Sequence, residues 1–179
     1  MGRTRLARFA AIGLIAALTT GCTSDPEPKE PDSTASATAL TPPELPEAAT
    51  EATSEGASAF VGHYLQMMNF AAHSGDTTQL RELSGPECGS CRRYIEAVDA
   101  THNAGGEYLD GDWSAKNLDV SQMDGYWAVT GDVTTAAGRQ KDNAESDYRE
   151  TSMSVTRMEF IVLPDQHGWT LYSFAGVAR

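Results

Sequence analysis

An α+β fold, with helices packed on one face of a curved antiparallel sheet, is what the sequence predicts for residues 55–179. Three observations predict it. Apolar residues recur at helical spacing in the first third of this region. They alternate at strand spacing in the remainder. The two patterns are segregated along the chain rather than interleaved, which argues for helices covering an antiparallel meander and against a parallel βαβ sheet. About 125 residues suffice to close one hydrophobic core.

Phe60, Val61, Tyr64, Leu65, Met68 and Ala72 follow the order of a single helix face, so a first helix is expected from about Ala57. Gly75-Asp76 stops it, and Asp76-Thr77-Thr78 offers capping side chains to a short second helix ending at Leu83. Ser84-Gly85-Pro86 breaks the chain. A third helix is expected from Cys88 to His102, with Ile95 and Val98 inward and 103–106 as terminator. One strand is expected between Glu107 and Asp119. Tyr126–Thr130 alternates and sets Trp127, Val129 and Val133 on one face. The polar stretch 137–147 reads as a mobile loop. Ser152–Leu163 reads as a long strand whose apolar phase slips between Met153/Val155 and Met158/Phe160/Val162, so a bulge is expected near Thr156-Arg157. Pro164–Gly168 is a hairpin turn, and Trp169–Val177 is the last strand.

The N-terminus carries an address. Arg3, Arg5 and Arg8 precede an apolar run from Phe9 to Leu18, followed by small residues, the order of a secretory signal. The run is much shorter than the ~20 residues a membrane-spanning helix needs. Leu6 stands where a myristoylation signal requires Ser or Thr. The segment ends Leu18-Thr19-Thr20-Gly21-Cys22, which resembles the lipobox of bacterial lipoproteins, departing from it at Thr19 where Leu is usual. The resemblance implies cleavage between Gly21 and Cys22, a diacylglyceryl thioether on Cys22, and a chain held at the outer face of the cytoplasmic membrane. Two acyl chains at about 0.8 kcal/mol per buried CH2 make such an anchor stable.

Residues 1–21 are thus expected to be a signal peptide and 22–54 a disordered tether. Six of the eight prolines fall in the tether, at positions 26, 28, 31, 42, 43 and 46, and its only apolar residues are Ala and two Leu. Such a segment buries too little to offset its ordering entropy. It is read as a semi-stiff spacer or a glycosylated stalk. The formal net charge of −12 repels nucleic acid phosphates, so no nucleic-acid role is expected.

Of the three cysteines, Cys22 is assigned to lipid, which leaves Cys88 and Cys91 as a pair. In an oxidising compartment they are read as a disulfide stapling the start of the third helix. The alternative is a redox dithiol, since a helix N-terminus lowers a thiol pKa. His63, His73, His102 and His167 show no ligand spacing with the pair, so no metal or cofactor is expected.

The opening Phe60-Val61-Gly62-His63-Tyr64, the stop at His73-Ser74-Gly75-Asp76, Leu80-Arg81-Glu82-Leu83 and the long final hairpin resemble the NTF2-like (SnoaL-like) cone fold. Leu83-Ser84-Gly85-Pro86-Glu87-Cys88-Gly89-Ser90-Cys91 more narrowly resembles the DUF6318 type of actinobacterial lipoprotein, uncharacterised in function. The resemblance implies a helix-covered cone and, by analogy with NTF2-like domains, a homodimer formed through the sheet. Some NTF2-like enzymes place proton-moving residues in the cone mouth, which directs attention to His63, Tyr64, Asp110 and Asp112. His63 is read as facing solvent, Tyr64 as core, and the two aspartates as a turn. Tyr64, Met68, Trp127, Met158, Phe160 and Trp169 are candidate pocket-lining residues, with simple core packing as the alternative. No Ser nucleophile motif, phosphate loop or calcium loop is visible. The functional expectation is a membrane-tethered, non-catalytic module binding an envelope protein or an apolar small molecule. The alternatives are an isomerase- or dehydratase-type enzyme and a redox partner using Cys88 and Cys91.

Overall fold

The computed structural model describes residues 40–166 and 168–177. Gly21, Cys22, the expected signal segment, the tether up to Ala39, and His167 lie outside the described residues.

Folded structure begins before the expected boundary at residue 55. A 3-10 turn, Glu47–Thr50, precedes the first helix, and Ala49 within it is fully buried. The chain then crosses the start of α1 (Ser54–Ser74). A Cβ at Gly56 would stand 1.9 Å from the Glu51 carbonyl oxygen, so only glycine permits the crossing. Thr53 caps α1 by accepting from the Gly56 amide at 3.0 Å, and Gly75, at φ 77°, ends it in the left-handed conformation that glycine adopts without penalty. The short α2 (Thr78–Glu82) and the longer α3 (Gly89–Asn103) follow where the sequence places them.

Two antiparallel sheets follow. The larger has the order β2-β3-β6-β7, from β2 (Trp113–Gln122), β3 (Trp127–Thr135), β6 (Ser154–Asp165) and β7 (Gly168–Gly176). The smaller is β1-β4-β5, from β1 (Glu107–Asp110), β4 (Gly138–Lys141) and β5 (Arg149–Thr151). The strand expected between 107 and 119 is therefore two strands joined at Asp110-Gly111-Asp112. The stretch read as a mobile loop carries β4, which pairs with both β1 and β5. Its polar sequence has no apolar alternation to announce it, because none of its side chains joins the hydrophobic core.

The bulge expected at Thr156-Arg157 is not there. β3 and β6 pair without interruption from Thr135↔Ser154 to Trp127↔Val162. Val155 is simply on the outer face, 49% exposed, and Met153, 65% exposed, precedes the strand. The register instead shifts between Ile161 and Val162, where β7 accommodates Tyr172 as an extra residue, and again in β2 between Lys116 and Asp119.

The core lies between α1 and the inner face of the larger sheet. Phe60, Val61, Leu65, Met67 and Met68 meet Val129, Val133, Phe160, Val162 and Leu171, all of them essentially inaccessible. At about 25 cal/mol per Å2 of apolar area, each large side chain so buried contributes roughly 1.5–3 kcal/mol.

The link between α2 and α3 binds the free edge of β7. The Gly85 amide donates to the Leu171 carbonyl at 2.8 Å, the Leu171 amide donates to the Leu83 carbonyl at 2.9 Å, and the Phe174 amide donates to Ser90 Oγ at 3.0 Å. Gly85 allows this close approach, since a Cβ there would stand 3.2 Å from the Leu171 oxygen, a tight contact. Ser84 Oγ donates to the Leu80 carbonyl at 2.7 Å, so the Tyr64 hydroxyl, 2.8 Å away, donates to Ser84. Cys88 and Cys91 are joined in a disulfide, with Cα atoms 5.3 Å apart, and Cys88 Sγ accepts from the Cys91 amide at 3.2 Å. The expected staple is thus also the helix cap.

Replacing both cysteines by serine (Cys88→Ser with Cys91→Ser) is expected to cost about 2 kcal/mol of unfolding free energy in the chain-entropy account of a four-residue loop. Urea denaturation under non-reducing conditions measures it. A loss near zero would show that the turn is held by its hydrogen bonds to β7 alone.

Candidate functional site

The residues expected to line a cone pocket are core. Tyr64, Met68, Trp127, Met158, Phe160 and Trp169 are between 0% and 8% exposed. Trp127 and Trp169 meet edge to face at 5.6 Å, and Phe160 stacks on Phe174 at 6.0 Å. None of the six borders the cavity or the groove described below. The volume expected to hold a ligand is occupied by these rings. Burial, partly opposed by the bond to Ser84, pushes the Tyr64 hydroxyl up to about 12, so it stays protonated and serves as a hydrogen-bond donor.

His63 does not face solvent. It is 4% exposed, and its Nδ1 has no hydrogen-bond partner among the described residues. Burial lowers its pKa, because the imidazolium would lose its hydration without gaining a partner. The sequence reading misplaced it because His63 lies beside the apolar stripe of α1, and α1 is buried on more of its circumference than an amphipathic helix normally is.

A cavity of about 170 Å3 opens elsewhere, between the C-terminal half of α1, α3 and the smaller sheet. Tyr94, Tyr108 and Trp113 form much of its wall, and Asp110, Asp112 and Arg139 also border it. Its polar groups are largely committed to holding the fold. Asn69 grips the start of β2 in both directions, donating to the Trp113 carbonyl at 2.9 Å and accepting from the Trp113 amide at 2.8 Å. The Tyr94 hydroxyl donates to the Met68 carbonyl at 2.9 Å, and burial above all raises its pKa. His73 lies between two acceptors, with Nε2 2.6 Å from Asp112 Oδ1 and Nδ1 3.3 Å from the Tyr108 carbonyl. Asp110 and Asp112, read as a turn, do form the β1–β2 turn and are exposed. Asp110 adopts φ 60° and Gly111 φ 85°. Arg139 rests over the Tyr148 ring at 5.6 Å. Among the described residues no group of three or more His, Cys, Asp or Glu is placed to hold a metal ion.

The outer face of the larger sheet carries a different feature. Tyr126, Ile161, Leu163, Tyr172 and Ser173 line an open groove of about 340 Å3. Its two tyrosines are 37% and 46% exposed. The β7 bulge lies beside it: Tyr172, the extra residue, borders the groove together with Ile161 and Leu163. The sequence held a signal for this. Phe160-Ile161-Val162-Leu163 is a continuous apolar run, and a strand with one solvated face would alternate instead.

Helices covering one face of an antiparallel sheet, beside a small second sheet, define an α+β fold. Residues 27–174 match the family of unknown function DUF6318, and the chain belongs to that family. A search of the curated proteins finds no match. Among solved structures, the intermembrane space region of the chloroplast protein ARC6 is similar at a TM-score of 0.54 and 14% identity, covering 72% of this chain and 99% of that one. The Kfla4162 protein from Kribbella flavida follows at a TM-score of 0.48 and 15% identity, covering 70% and 93%. An NTF2-like superfamily protein from Salmonella enterica serovar Typhimurium has a TM-score of 0.46 and 10% identity, covering 71% and 95%.

His63 yields a pH prediction. Its folded pKa is lowered from 6.5, so below that pH the unfolded chain takes up a proton that the folded chain does not. Its contribution is complete above the unfolded value and is lost as pH falls towards the folded one. His63→Leu is expected to gain about 1 kcal/mol at neutral pH and to lose less than the parent on acidification to about pH 5. Parallel acid slopes for the two proteins in urea denaturation would contradict this.

Proposed function

We propose that this protein is a lipid-anchored, extracytoplasmic binding module without catalysis, and that it engages a protein of the cell envelope through the tyrosine-flanked groove on its outer sheet face. One observation carries the reading. The inner face is filled by Trp127, Phe160 and Trp169, while Tyr126 and Tyr172, beside Ile161 and Leu163, stand at an open groove on the opposite face. Aromatic side chains around an apolar floor are the composition of protein interaction sites. Anchoring rests on the lipobox-like end of the N-terminal segment at Gly21-Cys22.

The isomerase or dehydratase alternative draws less support from the geometry. It needs an acid or base free to exchange a proton against a reacting atom. At the cavity Asn69 is used twice on the Trp113 backbone, and the bordering Asp112 is engaged by His73 Nε2. His63, the one buried histidine among the described residues, is absent from the cavity wall. The redox alternative meets a similar obstacle, since Cys88 and Cys91 are each 1% exposed and cap α3. An apolar small molecule would find the groove open along its length, which suits a flat protein contact better than an enclosed ligand.

The test places a photo-crosslinking residue at Tyr172, and as a control at the exposed Gln79 of α2, in the full chain expressed in its own envelope. A discrete adduct at 172 is expected, absent at 79 and lost when Ile161→Asp is added. In the same cells Cys22→Ser is expected to move the protein from the membrane to the aqueous fraction. Equal adducts at both positions would remove the groove from the account, and a membrane-bound Cys22→Ser protein would remove the anchor.

A further inference from the structure

We infer that the partner covering the outer-face groove is a positively charged segment, with apolar side chains seated between Tyr126 and Tyr172 and flanking Lys or Arg side chains reaching the acids beside the groove. The inference rests on the binding role proposed above and adds the chemistry of the partner.

The groove floor is apolar, and the charged residues nearest to it are acidic. Glu159 lies two residues before Ile161 on the same face of β6, and its cross-strand neighbours Thr130 and Ala175 carry no charge. Asp124 is exposed in the β2–β3 turn, two residues before Tyr126. The nearest cation along this face of β6, Arg157, is 3.6 Å from Asp132 and so is already matched. The chain as a whole carries a formal charge of −12. An approaching cation is drawn by both the local and the overall field, and an anion is repelled by both.

The same charges argue against a second copy of this chain as the occupant. Pairing two such faces about a twofold axis would set Glu159 and Asp124 of one protomer against an equally acidic surface, on two bodies each strongly negative. Like-charge juxtaposition across an interface is a recognised device for excluding the wrong partner. A basic segment meets no such cost, and its long Lys or Arg stems would also cover the tyrosine rings, where cation–π attraction adds to the contact.

The probe is a capped twelve-residue peptide with two leucines at its centre and two lysines on each side. It is titrated against the full chain in non-ionic detergent by isothermal calorimetry. Two control peptides replace the lysines by glutamates or the leucines by serines. The lysine–leucine peptide alone is expected to bind, and more weakly as salt rises from about 50 to 500 mM, as screening removes the charge contribution. Asp124→Lys combined with Glu159→Lys is expected to weaken it about fivefold, and Ile161→Asp to abolish it, with far-UV circular dichroism unchanged in both. Equal binding of the glutamate peptide, insensitivity to salt or no binding of any peptide would overturn the inference, as would a twofold mass of the chain alone in sedimentation equilibrium, lost in Ile161→Asp. The two proposals fail separately. If the Tyr172 adduct in cells is lost with Ile161→Asp but unchanged by the two charge reversals, the binding role stands and the basic partner does not.

Discussion

Three backbone amides tie the helical layer to the edge of β7. Gly85, Leu171 and Phe174 each donate across the boundary between the α2–α3 link and the edge of β7. A free strand edge exposes unpaired backbone groups that invite pairing with another chain. Here the link occupies that edge, with Ser84 bridging Leu171 in parallel and the Ser90 hydroxyl serving where no backbone acceptor reaches. The disulfide between Cys88 and Cys91 sits inside this segment and caps α3 at the point where it leaves the sheet. With the link pinned, α3 begins beside β7, and Tyr94 reaches α1 through its bond to the Met68 carbonyl.

This arrangement decides where function can lie. With the link bonded to β7 and α1 against the sheet, the inner volume is filled by rings. The aromatic residues that looked like pocket walls become the packing that excludes a ligand. Polar groups at the remaining cavity, Asn69 and Asp112 in particular, join α1 to the β1–β2 region. Apolar surface without an inner partner is found on the opposite face, where Tyr172, outward by alternation from the buried Leu171, stands beside Ile161 and Leu163.

The helices were legible because their signals are local. Apolar spacing marks α1, Gly75 marks its end, and Ser84-Gly85-Pro86 marks the break before α3. The inner faces of β3 and β6 were legible for the same reason, as Trp127, Val129, Val133, Met158, Phe160 and Val162 keep one phase. What sequence could not show depends on distant partners. β4 has no apolar pattern because none of its side chains joins the hydrophobic core, and the placement of the shift at Ile161-Val162 depends on the pairing with β7. The apolar pattern from Met153 to Val162 reads as a change of phase, but Met153 precedes β6 and Val155 lies on its outer face. His63 was misread because the depth of α1 in the core is a property of the assembled layers. The groove residues were hidden by the same two-sided apolarity that marks Phe160–Leu163 as a strand.

The central claim is that the link between α2 and α3 is part of the sheet rather than a loop lying on it. Amide hydrogen exchange of the full chain under native conditions tests this most directly, at Gly85, Leu171 and Phe174. The account predicts that these three amides exchange only through opening as costly as that of the Val129 and Phe160 amides in the centre of the sheet. Exchange at the rate of the exposed β1–β2 turn would contradict it, and would mean that the helical layer and the sheet edge open independently.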